Sequence, residues 1–116
     1  MHQPVPDVSS GDVERVVRRD FASSEASRVL EILSEYQSES GSPFRVRLAA
    51  LKLAGGDLDR LRQQIEAAKY DYRDVLASAE YPAYFKKMFR IDKLPADEKQ
   101  KIIDEDWRQY ETWFKR

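Results

Sequence analysis

The run Lys69-Tyr70-Asp71-Tyr72-Arg73-Asp74 sets two phenols, two carboxylates, a guanidinium and an ammonium within six residues. Paired carboxylates (Asp71 with Asp74, and again Asp57 with Asp59) are minimum equipment for general acid and base work, and an arginine such as Arg73 can clamp an anionic oxygen. On a helix, Arg62, Lys69 and Arg73 line one flank. Glu66 stands among them, placed to pair with Arg62, Lys69 and Tyr70 at i−4, i+3 and i+4. Such pairs contribute ~0.2–0.5 kcal/mol each and are also how an ordinary solvated flank is built. Tyr72 falls on the apolar face. Tyr70 points away from it, beside Asp74, and an outward tyrosine among charges makes a good contact anchor.

Two further groups bear chemistry. Lys86, Lys87, Arg90 and Lys93 interleave with Phe85, Met88 and Phe89, an alternation that suits a nucleic-acid backbone or an acidic partner and equally suits a plain surface helix. Asp106 projects between Ile102 and Trp113, inside an aromatic stripe. A carboxylate buried there needs a partner, because isolation costs several kcal/mol. Arg73, or a tyrosine hydroxyl, would supply one.

Composition removes several classes of function. Cysteine is absent, so disulfides, thiol nucleophiles and thiolate metal sites are excluded. The sole histidine is His2, in a segment expected to be mobile, which leaves no internal imidazole base and removes most zinc geometries. Twenty basic side chains face 21 acidic ones, and neither half carries a strong excess. Non-specific nucleic-acid binding therefore lacks its usual electrostatic footprint. No glycine loop for phosphate and no G-x-S-x-G elbow is present. No apolar run approaches the ~18 residues of a membrane span. Nor does the start of the chain read as a secretion signal, so a cytoplasmic protein without cofactor, metal or membrane contact is expected.

The elements that must position these groups are helical throughout. Residues 1–11 read as a flexible leader and 12–116 as one helical domain. Asp12 to Phe21 carries Val13, Val16, Val17 and Phe21 near one face. After Ser23 or Ser24 as a cap, Ala26, Val29, Leu30, Leu33 and Tyr36 follow the helical repeat, which the polar Ser38-Glu39-Ser40-Gly41-Ser42 run stops. Ser42-Pro43 starts a helix to Ala54 that is apolar on nearly every side, with Arg45 and Lys52 as its wet edge. Gly55 is placed for a left-handed C-cap and Asp57 for an N-cap. A long helix runs from Leu58 to Glu80, and Pro82 disfavours helix at Tyr81. Tyr81 to Phe89 forms a short aromatic segment. Leu94-Pro95 opens a final helix striped by Ile103, Trp107, Tyr110 and Phe114.

With Leu48 to Pro82 in view, reading LAALKLAGGDLDRLRQQIEAAKYDYRDVLASAEYP, the chain resembles a group of small bacterial all-helical proteins of unknown function. These share an L-K-L-x-G-G-D-L-x-x-L core, an A-K-x-D-Y-R-D-V-L-x-x-A-E-Y-P run and a tryptophan-bearing last helix. The resemblance spans roughly Ala26 to Phe114 and implies a small soluble helical protein. No activity, cofactor or site residue comes with it.

The expected fold is an all-α, single-domain bundle of four to five helices without a β-sheet, built around Pro43–Ala54. The expected function is a protein-interaction module, self-associating or docking on a protein partner, with Tyr70, Asp74, Lys86, Lys87 and Arg90 as its candidate surface. Arg73 with Asp106 is the candidate buried polar pair. A nucleic-acid-associated protein using Lys86–Lys93 is the competing reading. Helix, glycine turn, helix suits such a protein, but Asp57 and Asp59 at the leading end would repel phosphates. An enzyme built on Asp, Tyr and Arg ranks below both.

Overall fold

A computed structural model describes residues 3–38 and 41–116, without the side chains of Met88 and Phe89. His2, Glu39 and Ser40 lie outside the described residues. The fold is all-α, and no strand occurs among the described residues. Five helices are nine residues or longer: α1 (Ser10–Asp20), α2 (Ala26–Ser34), α3 (Phe44–Ala54), α4 (Leu58–Glu80) and α7 (Ala96–Lys115). A 3₁₀ turn (Ser23–Glu25) precedes α2, and two short helices, α5 (Pro82–Lys86) and α6 (Met88–Ile91), join α4 to α7.

The central position of α3 stems from its composition. Val46, Leu48, Ala49, Ala50, Leu51 and Ala54 are all buried on one eleven-residue helix. Leu48 and Leu51 are fully enclosed, each contributing about 1.5–3 kcal/mol by transfer from water. The N-cap position of α3 is Pro43, one residue later than expected, and Ser42 Oγ accepts the Phe44 N–H at 3.2 Å from just before it. Gly55 ends it in the left-handed region (φ 57°, ψ 35°), and Asp57 caps α4 by accepting the Arg60 N–H at 3.0 Å. This short turn folds α3 and α4 against each other as the most extensive helix pair.

Three expectations need correction. The leader ends earlier than residue 11: a Ser9–Asp12 capping box starts α1 at Ser10, and Pro6 is buried against the domain. Ile32, not Leu30, joins Val29 and Leu33 in the core, leaving Leu30 40% exposed. Arg45 and Lys52 are not a wet edge. Arg45 pairs with a buried carboxylate, and Lys52 is half-buried, its amine pushed below its ordinary value by desolvation and partly restored by the Asp106 charge.

Two arginines of α1 hold the far end of the chain. Arg15 donates to the Phe114 carbonyl at 2.5 Å and Arg19 to the Trp113 carbonyl at 2.7 Å. Their guanidiniums lie over the Phe114 and Trp113 rings, 5.3 and 5.0 Å from the centroids. Cations at the C-terminal end of α7 complement its dipole and satisfy carbonyls that the helix itself leaves open.

Candidate functional site

The candidate site gathers on α4, which is not one straight helix. Asp71 adopts φ −154°, ψ 98° in its interior, an extended conformation that interrupts the hydrogen-bond ladder. The Asp71 carboxylate accepts the Arg73 backbone N–H at 3.1 Å and the Arg73 guanidinium at 3.0 Å. Asp71 therefore acts as an internal N-cap for the second half of α4, the local side-chain competition that places aspartate at helix starts. Hydrogen bonds from Arg73 hold its carboxyl below the ordinary carboxylate value.

Of the tyrosines on either side of the break, Tyr70 faces outward as expected and Tyr72 does not face inward. Tyr70 is 94% exposed, and Tyr72, expected on the apolar face, is 46% exposed. The correction for Tyr72 is local: it follows the extended Asp71 and leaves the stripe alone, while Val75 and Ala79 keep the spacing that Leu61, Ile65 and Ala68 set. The core contact resumes at Val75 and Ala79.

Two recesses flank the second half of α4. One, about 660 Å³, opens between α4, the start of α3 and the segment that follows α2. Val46 and Ala68 form its apolar floor, Tyr36, Tyr72 and Leu76 its walls, and the Glu35–Lys69 ion pair (3.2 Å) lies on its rim. The other, about 290 Å³, is walled by Tyr81, Tyr84, Phe85 and Leu76, with Arg73 and Gln3 at its edge. Arg45 and Leu76 line both.

On the wall of the second sits the most buried charge among the described residues. Glu80 is 1% exposed and accepts from Arg45 Nε at 2.9 Å and Nη2 at 2.7 Å, a bidentate pair. Nearby Tyr110 is fully buried and stacks on Trp107 at 6.1 Å between ring centroids. Burial, then the Glu80 charge, push its phenol well above the ordinary tyrosine value. The same two causes push Tyr81 up to about 12, so both phenols remain protonated at neutral pH.

The expected pairing of Arg73 with Asp106 is corrected. Asp106 is buried (4% exposed), but its partners are the backbone N–H groups of Ala83 at 3.2 Å and Tyr84 at 2.9 Å. It caps α5 from across the fold and satisfies amides that a short helix cannot pair internally. Arg73 is 77% exposed and bound to Asp71. Asp74 is exposed one turn beyond Tyr70. Lys86, Lys87 and Arg90 face solvent on α5 and α6, and no hydrogen bond or ion pair among the described residues links them to Tyr70 or Asp74. The Met88 and Phe89 interleaving lies outside the described side chains.

Residues that sequence reasoning passed over are Asp71 as an internal cap, and the Arg45–Glu80 pair with Tyr81 and Tyr110 around it. A signal existed for Glu80: it comes four residues after Leu76 and so continues the inward side of the helix. Asp57 and Asp59 resolve into a cap and an ion pair with Arg62 at 3.3 Å. No cluster of three or more metal-ligating side chains occurs among the described residues. In comparisons with known protein families, curated proteins and solved structures, nothing matches this chain.

Proposed function

We propose that the chain is a small cytoplasmic protein-interaction module whose contact surface is the broken face of α4. The observation that carries this is Tyr70, a large amphipathic ring 94% exposed at the point where the helix is interrupted. Tyr72 stands beside it as a wall of the 660 Å³ groove. An apolar floor with a charged rim, flanked by two tyrosines, is the anatomy of a contact anchor on a partner protein. The groove's charges are largely balanced in pairs, Glu35 with Lys69 and Arg45 with Glu80, which favours a protein partner over a polyanion.

The test is a double variant, Tyr70→Ala with Tyr72→Ala. It should melt within about 2 °C of the wild type, since exposed substitutions rarely exceed ~0.5 kcal/mol. Recovery of the cross-linked partner, or of a dimer in sedimentation if the partner is a second copy, should fall at least about tenfold, the loss of roughly 1.4 kcal/mol at one anchor. Equal recovery from both chains would retire the α4 surface. Binding should also persist from low to moderate salt, where phosphate-driven association collapses.

A further inference from the structure

The 290 Å³ recess beyond Leu76 is bordered along one edge by Gln3, at the start of the described chain. Residues 3–9 run without helix or strand into α1. The Tyr81 hydroxyl donates to the Pro4 carbonyl, Gln3 lines the recess, and Pro6 is buried. Val5 between the prolines is 60% exposed, while Val8 packs on the core, so alternate residues of the arm face the protein. Proline has no N–H, and its carbonyl is the one backbone group a groove can address. Extended proline segments are stiff before they bind and are recognised by aromatic walls that offer a hydroxyl or indole donor. Tyr81, Tyr84 and Phe85 supply such walls, and Tyr81 supplies the donor.

We propose that this recess is a binding groove for an extended Pro-x-Pro segment of another protein, and that the arm Gln3-Pro4-Val5-Pro6 occupies its Tyr81 donor in cis. The surface is separate from Tyr70 and Tyr72, which lie on the other side of Arg45 and Leu76. A tethered arm competes at high effective concentration, so a foreign segment gains access only when the arm lifts. An arm seated in about nine molecules of ten weakens the apparent affinity of an outside segment about tenfold.

The experiment uses the full chain and a fluorescent peptide copying residues 3–8. Pro6→Asp sets a charge where Pro6 is buried and ejects the arm, while the Ser9–Asp12 capping box of α1 is left in place. In fluorescence anisotropy, Pro6→Asp should bind the peptide about tenfold more tightly than wild type. Adding Tyr81→Phe should weaken that binding about fivefold or more, and a peptide with both prolines replaced by alanine should not bind. Should Pro6→Asp fail to fold, Pro4→Ala with Pro6→Ala takes its place, removing the arm's fit without adding charge. Equal affinity in the wild-type and opened chains overturns the proposal, as does indifference to Tyr81→Phe. A wild-type dimer in sedimentation that the opened variant dissolves would assign the groove to a second copy's arm and overturn the foreign occupant.

Discussion

Removing Arg45 should harm this protein far more than neutralising its partner Glu80, although the two form one ion pair. Glu80 is 1% exposed, and Arg45 binds both its oxygens at 2.9 and 2.7 Å. Arg45→Ala leaves a carboxylate in the core with no counter-charge, a change that costs about 3–5 kcal/mol. The Arg45 side chain is 35% exposed, so its loss admits water and the low end, about 3 kcal/mol, applies. Glu80→Gln strands only a guanidinium that already reaches solvent, and its amide oxygen still accepts a hydrogen bond, so about 1 kcal/mol is expected. Unfolding entropy of ~2.1 cal/mol/K per residue gives about 0.24 kcal/mol/K for 116 residues. The two losses then lower the melting temperature by about 12 and 4 °C. Replacing both, as Arg45→Met with Glu80→Leu, should return stability to within about 1 kcal/mol of wild type, because a buried pair and its apolar substitute are nearly equivalent. Thermal and urea unfolding at pH 7, followed by circular dichroism, measure all four chains. Equal losses below about 1 kcal/mol would mean an ordinary surface pair, and a double variant as weak as Arg45→Ala would refute the charge argument.

The cap on α5 gives a second prediction. Asp106→Ala should cost about 1–2 kcal/mol, while Asp106→Asn recovers part of it through the remaining amide oxygen. Hydrogen exchange at the Ala83 and Tyr84 amides should quicken by a matching factor, and unchanged protection there would remove Asp106 from the role. Alkaline pH gives a third. Unfolded tyrosine ionises near 10.0, whereas folded Tyr81 ionises at about 12 and Tyr110 is raised in the same direction. The folded state therefore holds protons that the unfolded state has lost. Stability should be level below pH 10 and fall as pH rises from 10 toward 12. Tyr81→Phe should make that fall shallower, and an identical slope in the variant would contradict the assignment.

Helix boundaries were legible wherever one side chain decides them. Asp57, Gly55 and the Tyr81-Pro82 step each act on their own backbone, so the limits of α4 can be read from sequence alone. The break at Asp71 was not legible, because aspartate inside a charged helix usually turns its carboxylate to water, and tertiary packing decides when it captures the backbone instead. Angular projection brought Asp106 inside the stripe, but side-chain pairing rules name side-chain partners, and its real partners are backbone amides of a helix five residues long. Arg45 looked like plain surface because it is charged. Its inward pairing depends on Glu80, 35 residues away, which no local pattern connects to it. Gly56 makes a similar point. Beyond its turn, an added Cβ would meet the Asp20 carbonyl oxygen at 2.9 Å, so the position also sets how closely α1 can approach.

The grip of Arg15 and Arg19 on the end of α7 has a consequence for order in time. The turn at Gly55 brings α3 and α4 together across a few residues, a closure that needs almost no search. The arginines of α1 must wait for carbonyls 94 to 101 residues further along the chain. Long closures carry the larger entropic cost and are slow to form. On a ribosome, α1 can bury its valines long before its arginines have anything to hold. Among the helices described, α1 is made before the others yet finished after them, because its clasp waits for the end of α7.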